Sequence, residues 1–390
     1  MNIVETLIKD KWILLFAVII VARFVGYSPV PQSLYFVAII VATIYVINTK
    51  RFKINKYIIL YLVAALLSIG VNLPPEIFSP FERLTIYIFM LIAVSPLLEN
   101  DKTLVFRHKL LKYCFLLINI LTILSFFCFF LGINLMQLKE GAIYEEDFSI
   151  GGTFAGLTSH SMVLGPLAAL SLMYFIHNNR IRPHFRILFI IMSAASLLFS
   201  ASRGAIIAAA IATLFSLFTL VRMKVLKLKY VIIGILITAS TFTYWSFAID
   251  GIIYKQTIRS DGKSNTRSGS FENRINEFTD NPILGVGFAS IDLEKNPSEF
   301  RAATKTVEYG SSWLAILSTT GILGFIPFAI LFYKKTIIAI NNNLLIAACL
   351  IMFSIHFIVE GYIFSVGNPL CLMFWLILAN ANSRLNDKTI

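Results

Sequence analysis

The chain has 390 residues, of which 57% are hydrophobic and only 14% are charged, and its mean hydropathy is +0.79. No soluble domain of this length covers so much apolar surface with so little charge, which excludes a water-soluble globular protein. The formal net charge is +12, but the basic residues lie in short breaks between apolar blocks and form no single patch, so no nucleic-acid partner is expected.

The apolar blocks are about 16 to 24 residues long, the length that a helix needs to cross a hydrocarbon core of roughly 30 Å. Inside a bilayer the backbone polar groups must be satisfied within each segment, so these blocks predict helices. The sequence therefore predicts an all-α polytopic membrane protein, one integral membrane domain over residues 1–390, with about 12 transmembrane helices. In chain order the predicted spans are 12–26, 33–48, 57–73, 84–98, 110–133, 159–177, 185–201, 203–221, 230–249, 309–333, 342–366 and 367–380.

The charges between the spans predict the orientation. With the N-terminus inside, about 21 of the 33 basic residues fall on the cytoplasmic side, nearly all of them in short loops. About 16 of the 21 acidic residues fall on the other side. Both termini are therefore predicted to be cytoplasmic.

Two predicted outer segments are too long to be turns. The smaller is 134–158, and the larger, 250–308, lies between spans 9 and 10. Within the larger one, the spacing of Phe271, Ile275 and Phe278 predicts a short amphipathic helix. The four cysteines all lie in apolar blocks without CxxC spacing, so neither a disulfide nor a metal site is expected.

Arg203 follows Ser202 at the predicted outer start of span 8. An arginine at that depth is costly unless it meets an anion or water. A snorkelling helix-end residue is one interpretation. The other is an anion site, because Ser202 and Gly204 would let a phosphate approach the backbone and the helix N-terminus adds positive potential.

Four other positions carry candidate polar chemistry. Arg274 lies in the large loop, where pairing with Glu277 or Asp280 in solvent is the simplest interpretation. His160 stands at the outer start of span 6 and could face a cavity. Within span 11, His356 and Glu360 lie one helical turn apart, either as functional groups or as a buried hydrogen-bonded pair.

The last stretch of interest is Tyr309-Gly310-Ser311-Ser312, followed by Gly321-Ile322-Leu323-Gly324. Its small residues favour close helix packing. No cluster in the chain has the spacing of metal ligands, so no metal is expected.

Taken together, these stretches resemble the bacterial O-antigen polymerase and O-antigen ligase superfamily. The shared features are Ser-Arg-Gly at an outer helix start, a large periplasmic loop with an arginine, then Asn-Pro-Ile-Leu-Gly-Val-Gly-Phe, and a span containing Gly-Ile-Leu-Gly. Arg274 to Gly285 also fits the Arg-x10-Gly spacing of Wzy-type polymerases. The resemblance covers roughly residues 150–330 and is only architectural outside them.

The resemblance implies a glycosyltransferase that joins undecaprenyl-diphosphate-linked repeat units at the periplasmic face, without a metal or other cofactor. Arg203 and Arg274 match the arginines thought to hold the diphosphate, and Ser202, Tyr309 and Glu360 are further candidate substrate contacts. Glu308, Asp280 and His160 are candidate general bases for the attacking hydroxyl.

Two alternatives remain. Ligases typically carry His-Asn where this chain has Gly310-Ser311, which favours a polymerase over a ligase that transfers glycan to lipid A-core. A polysaccharide transporter or flippase would share the span number, but no repeated halves are visible in the sequence. Besides membrane lipid and the lipid-linked glycan, the candidate partners are a chain-length regulator and a flippase.

Overall fold

The computed structural model describes residues 10–136, 154–223, 268–301 and 306–383. In this part of the chain the protein is mostly helical. The α-helices are α1 (Lys11–Ala22), α2 (Gln32–Asn48), α3 (Lys56–Asn72), α4 (Pro80–Val94), α5 (Asp101–Phe130), α6 (Ser161–His177), α7 (Pro183–Phe199), α8 (Arg203–Arg222), α9 (Ser268–Asp280), α10 (Ser312–Asn342), α11 (Leu344–Val359) and α12 (Pro369–Ala379). Short strands β1 (Lys53–Ile54) and β2 (Leu98–Glu99) pair antiparallel, as do β3 (Phe300–Arg301) and β4 (Thr306–Val307).

The described residues are mostly helical, with two short strand pairs, which agrees in part with the predicted all-α architecture, while the number of spans stays a prediction. Each predicted span overlaps a helix except 230–249, which lies outside the described residues. Four described helical units are long and apolar enough to cross a membrane, namely Glu76–Val94, Asp101–Phe130, Arg203–Arg222 and Ser312–Asn342. The other apolar helices are shorter, at 10–17 residues. The segment predicted as a short amphipathic helix lies within α9.

The helices pack side by side, with α10 along α3, α11 along α8, α6 along α7 and α1 along α5. At one end of this bundle, which we call the α9 end, the connections between successive helices contact one another. The Gly26 amide donates a hydrogen bond to the Leu157 carbonyl (2.9 Å), and the Tyr35 hydroxyl donates one to the Val366 carbonyl (3.0 Å). Residues 281–301, 306–311 and 360–368 lie at this same end.

The opposite end contains β1 and β2 and two buried cationic side chains. Arg107 donates hydrogen bonds to the carbonyls of Ile92, Ala93 and Leu98, at the C-terminal end of α4 and just beyond it. Lys335 pairs with Glu99 at 2.8 Å. These contacts satisfy carbonyls and charges that burial would otherwise penalise.

A break in α10 receives the loop that follows α9. Gly321 has non-helical backbone angles (φ 60°, ψ −165°), so hydrogen bonds of the helix are lost around it. The loop replaces them. The Ile322 amide donates to the Pro282 carbonyl (2.9 Å), the Leu323 amide to the Ile283 carbonyl (3.3 Å), and the Val286 amide to the Ser318 carbonyl (2.8 Å).

Two glycines make this fit possible. A Cβ on Gly285 would lie 2.3 Å from the Ser318 carbonyl oxygen, and one on Gly321 would lie 2.2 Å from the Ile283 carbonyl oxygen. Both residues also have positive φ, at 67° and 60°, which favours glycine. The sequence predicted that the small residues here allow close helix–helix packing. At Gly321 the small residue instead allows the loop after α9 to pack into the break in α10.

Candidate functional site

Arg203 is presented at the start of α8, at the α9 end. Ser202 is the residue before the helix and is buried, while Arg203 is exposed. The first turn is held on both sides by close packing. A Cβ on Gly165 of α6 would lie 2.7 Å from the Ser202 Cβ, and one on Gly204 would lie 2.4 Å from the Val359 Cγ2 of α11. The backbone carrying Arg203 is therefore fixed while its guanidinium faces outward.

Glu360 links this helix start to Tyr309. It follows Val359 directly, and its carbonyl accepts hydrogen bonds from the Ser312 amide (2.9 Å) and the Ser312 hydroxyl (2.6 Å). On the other side, a Cβ on Gly361 would lie 2.7 Å from the Tyr309 Cβ. The half-buried Glu360 thus stands between the segment that packs on α8 and the segment that packs on Tyr309.

Arg274 is fully buried and pairs with two carboxylates. Its Nη1 lies 2.7 Å from Glu277 Oε2 and its Nη2 lies 2.5 Å from Glu299 Oε2. Its guanidinium carbon is 5.9 Å from the centre of the Tyr309 ring. The expected pairing with Glu277 is therefore present, but inside the protein instead of in solvent, and Glu299 replaces Asp280 as the other partner.

We call Arg274, Glu277 and Glu299 the Arg274 cluster. Its carboxylates connect α9 to the loop that follows it. Glu277 Oε1 accepts hydrogen bonds from the Asp292 amide (2.9 Å) and the Asn296 side chain (3.3 Å). Burial raises the pKa of Glu277 from its ordinary value of 4.5 to about 6, although Arg274 opposes the shift. One guanidinium facing two carboxylates leaves the cluster with excess negative charge when both carboxylates are ionised.

The three candidate bases have different surroundings. Glu308 is exposed and directly precedes Tyr309, and its backbone amide donates to the Glu299 carbonyl at 3.0 Å. Asp280 pairs with Lys295 at 2.7 Å in solvent. It also lies ten residues along α9 from Ser270, the residue beside Gly310, a separation of about 15 Å along the axis.

His160 caps α6. Its Nδ1 accepts a hydrogen bond from the Met162 amide at 3.1 Å. In the neutral imidazole the proton is then on Nε2, so this ring can donate a hydrogen bond from Nε2 but cannot accept a proton there. Nδ1 of His160 is therefore engaged in the helix cap, and the role of His160 as a base stays a prediction.

His356 takes part in a second buried contact at the same end. Its Nδ1 lies 2.9 Å from the Tyr362 hydroxyl, and its ring edge faces the first turn of α8 near Gly204. The pairing of His356 with Glu360 stays a prediction, and the structure shows the Tyr362 hydroxyl as a partner of His356. The hydroxyls of Ser311 and Ser312 bond to the carbonyls of Phe357 and Glu360, which fixes the segment after Tyr309 to the end of α11.

The structure thus gathers most of the predicted site residues at one end. The residues at the α9 end are Ser202, Arg203, Arg274, Glu308, Tyr309, Glu360 and, as the cap of α6, His160, while Asp280 lies at the C-terminal end of helix α9, away from Gly310. Among the described residues, no group of three or more His, Cys, Asp or Glu side chains is placed to hold a metal ion. All four cysteines are buried.

Sequence reasoning missed two residues at this end, Glu299 and Arg83. Glu299, the second partner of Arg274, is 25 residues away in the sequence and carries no local signal. Arg83 lies in the first turn of α4 and donates a hydrogen bond to the Ala289 carbonyl at 3.2 Å. The position of Arg83 could have singled it out in the sequence, because, like Arg203, it lies at the outer start of a predicted span.

No curated protein matches the chain. Residues 187–329 match the family model described as O-Antigen ligase (Wzy_C), over a stretch that includes Arg203, Arg274 and Tyr309. Members of this family are glycosyltransferase-like enzymes, polymerases or ligases, and together with the apolar helices the match indicates a membrane protein. Over residues 187–329 the chain thus matches a domain of the O-antigen polymerase and ligase superfamily.

Proposed function

We propose that the protein polymerises undecaprenyl-diphosphate-linked oligosaccharide repeat units, of O-antigen or a similar surface polysaccharide, at the periplasmic face of the bacterial inner membrane. The observation that carries this proposal is the grouping of an exposed arginine, Arg203, with Glu360, Tyr309 and Glu308 at the α9 end. The family match covers the helix start and the loop that build this end.

The proposed reaction is a glycosyl transfer. A hydroxyl oxygen of one lipid-linked repeat unit attacks the anomeric carbon of another chain, and a new C–O bond forms. The bond between that carbon and the diphosphate oxygen breaks, and its electron pair stays on the lipid diphosphate. The hydroxyl proton passes to a base, for which we propose Glu308, because it is exposed and adjoins Tyr309.

Arg203 is proposed to stabilise the leaving diphosphate. Negative charge grows on that group in the transition state, and a guanidinium on a fixed backbone stabilises it without reorganisation. Its planar donors also match two phosphate oxygens at once. The start of α8 supports this role because the positive end of the helix dipole lies beside Arg203.

Arg274 remains a candidate diphosphate ligand, but its surroundings favour an organising role. Its guanidinium is buried and already faces Glu277 and Glu299. Direct contact with a diphosphate would require these ion pairs to open. In the structure as it stands, Arg274 joins α9 to the loop that leads to Tyr309.

The ligase alternative meets an obstacle at Gly310. This is the position at which the resemblance places a histidine in ligases, and here the residue has a φ of 71°. A Cβ at Gly310 would lie 2.9 Å from the Ser270 Cβ, so a histidine does not fit without a shift of α9. This observation favours the polymerase.

The experiment that tests the proposal is a reconstituted assay with purified protein and its lipid-diphosphate-linked repeat unit, with products separated by size. We expect a ladder of lipid-linked oligomers from the wild type and none from Arg203→Ala. A second arm adds lipid A-core. Transfer of glycan to that acceptor without a ladder would replace the polymerase with a ligase, and no product in either arm from folded protein would refute both.

A further inference from the structure

We propose that the protein binds an anionic phospholipid where α3 and α10 lie side by side, at the end of the bundle opposite the α9 end. Lys56 and Lys334 hold the phosphate of the headgroup, and exposed apolar side chains of the two helices hold the acyl chains. This inference does not depend on the proposed function, because it concerns the other end of the molecule and a different ligand.

The first observation is that two lysine side chains meet at Tyr57, at the start of α3. Lys334 of α10 donates a hydrogen bond to the Tyr57 hydroxyl at 2.5 Å, and its ammonium nitrogen is 4.7 Å from the centre of the Tyr57 ring. The ammonium nitrogen of Lys56 is 5.4 Å from the same centre. The two positive charges are therefore within about 10 Å of each other, and cation–π contacts with Tyr57 favour these positions.

The second observation concerns the charge of these lysines. Both are exposed, and neither Lys56 nor Lys334 pairs with a carboxylate among the residues that the structure describes. The adjacent Lys335 differs, because it is buried and pairs with Glu99 at 2.8 Å. Further exposed cationic residues precede α3 in the chain, namely Lys50, Arg51 and Lys53.

This arrangement suits a phosphate group. Each ammonium group has three donors, and Lys334 uses one of them on Tyr57. Because the Tyr57 hydroxyl accepts that bond, its own proton is available to a phosphate oxygen. Clusters of basic residues beside membrane helices attract anionic headgroups, and each cationic side chain near the membrane surface adds to the attraction.

The third observation is that each lysine begins a stripe of exposed apolar side chains. Residues three or four apart share one face of a helix, and both stripes follow this spacing from their lysine. The stripe on α3, which begins at Lys56, consists of Leu60, Val63 and Leu67. The stripe on α10, which begins at Lys334, consists of Ile330, Ile326 and Leu323.

The two stripes run in the same direction because α3 and α10 are antiparallel. At one end of their contact Lys334 reaches Tyr57, and further toward the α9 end the Ser68 hydroxyl donates to the Thr319 carbonyl at 2.6 Å. The stripe on α3 is 11 residues long, or about 16 Å. That is about half of a hydrocarbon core of roughly 30 Å, which is the depth of one leaflet. A lipid therefore fits this surface better than a soluble phosphate.

The test measures binding of phosphatidylglycerol to the purified full chain in detergent, by native mass spectrometry over a series of lipid concentrations. Phosphatidylcholine with the same acyl chains is the zwitterionic comparison. Glycerophosphoglycerol, the same headgroup without acyl chains, is added as a competitor. The variants are Lys56→Gln, Lys334→Gln, the two combined, and both lysines replaced by arginine. The matched control is Arg180→Gln, an exposed arginine in the loop between α6 and α7.

We expect the wild type to bind phosphatidylglycerol at least tenfold more tightly than phosphatidylcholine. Each single glutamine variant should weaken phosphatidylglycerol binding about fivefold, and the double variant more than tenfold, because each lysine near the surface contributes separately. The double arginine variant should keep most of the affinity, since it keeps both charges, and Arg180→Gln should keep all of it. Wild-type affinity for phosphatidylglycerol in the double glutamine variant would overturn the inference.

The other arms test the kind of ligand. Equal binding of the two lipids by the wild type would refute selection for an anionic headgroup. Competition by glycerophosphoglycerol at the concentrations at which the lipid binds would replace the lipid with a soluble anion and refute the role of the stripes. Thermal unfolding of each variant is measured in parallel. If the double glutamine variant does not fold, the single variants decide, and wild-type affinity in both would overturn the inference.

Discussion

Two arginines that look equivalent in the sequence have opposite surroundings in the structure. Arg203 is exposed at the start of α8, whereas Arg274 is buried between Glu277 and Glu299. A buried ion pair is costly to break, because removing one partner leaves an uncompensated charge. Substitution at the two positions should therefore have different consequences.

Replacing Arg203 with alanine should remove activity and leave the fold intact. We expect a loss of about a hundredfold or more in turnover, since one preorganised donor to a developing charge has that order of effect. The control is Arg222→Ala, which removes an exposed arginine at the other end of the same helix. Equal activity of Arg203→Ala and Arg222→Ala in the ladder assay would remove Arg203 from the site.

Replacing Arg274 with alanine should instead loosen the region around α9. Glu277 and Glu299 would face each other without a counter-charge, at a cost of about 3–5 kcal/mol. Limited proteolysis should then cut the chain near residues 268–301 much faster than in the wild type. Lys295→Ala, which removes the ion pairs of this exposed lysine with Asp280 and Asp292, should leave the cleavage rate nearly unchanged.

At this scale the sequence could predict Arg203 and the pairing of Arg274 with Glu277, but neither the burial of Arg274 nor its contact with Glu299. Ser-Arg-Gly at the boundary between two apolar blocks is a local signal, and the structure places it at a helix start. The partner of Arg274 at position 299 comes from the pairing of β3 with β4 and the turn before it. No periodicity connects residues 274 and 299, so only the fold could show their contact.

Among the structural elements, the fit between the loop after α9 and the break in α10 depends on two glycines. Gly285→Ala and Gly321→Ala each place a Cβ within 2.3 Å of a backbone atom, at residues with positive φ. We expect each substitution to destabilise the protein by at least about 2 kcal/mol. The measurement is thermal unfolding in detergent.

Gly70→Ala provides the matched control for these substitutions. Gly70 lies within α3, and a Cβ there would meet nothing within 4 Å. Since alanine favours the helix over glycine, Gly70→Ala should unfold at the wild-type temperature or slightly above it. A similar loss of stability in all three variants would contradict the close fit between the loop after α9 and the break in α10.

The stability of the Arg274 cluster (Arg274, Glu277 and Glu299) should also depend on pH, because of Glu277. Its pKa in the folded protein, about 6, is above its ordinary value of 4.5, so the folded state holds this proton more tightly than the unfolded state. The contribution of Glu277 to stability is therefore fully present below pH 4.5 and is lost as the pH rises through 6. Between these two pH ranges the contribution of Glu277 to the free energy of unfolding changes by about 2 kcal/mol.

Hydrogen exchange of the α9 amides measures this effect. After correction for the intrinsic exchange rates, protection should be lower at pH 7.5 than at pH 5. Glu277→Gln, which keeps the hydrogen-bonding shape without the charge, should remove most of the difference. A pH dependence of the same size in Glu277→Gln would assign it to another group.

For the molecule as a whole, the alternation of basic and acidic loops predicts which end of the bundle faces the cytoplasm. The end of the bundle that contains β1 and β2 is opposite the α9 end. All four native cysteines are buried. A single introduced cysteine on an exposed position therefore reports the side of the membrane with little background.

We expect Glu294→Cys, at the α9 end, to react with a membrane-impermeant maleimide in cells whose outer membrane has been permeabilised. Lys102→Cys, at the opposite end, should react only after the inner membrane is also opened. Both positions are exposed. The reverse pattern would invert the predicted orientation and place the candidate site in the cytoplasm.

The interlocked break in α10 also limits how this protein can be recombined with its relatives. The loop at 281–287 supplies hydrogen bonds that residues 318–323 lack, and each side has a glycine shaped to the other. A hybrid that takes only the loop after α9 from another chain would separate these two halves. Crossover points for such hybrids should lie before Ser268 and after Gly324, so that the loop after α9 and the break in α10 come from the same parent protein.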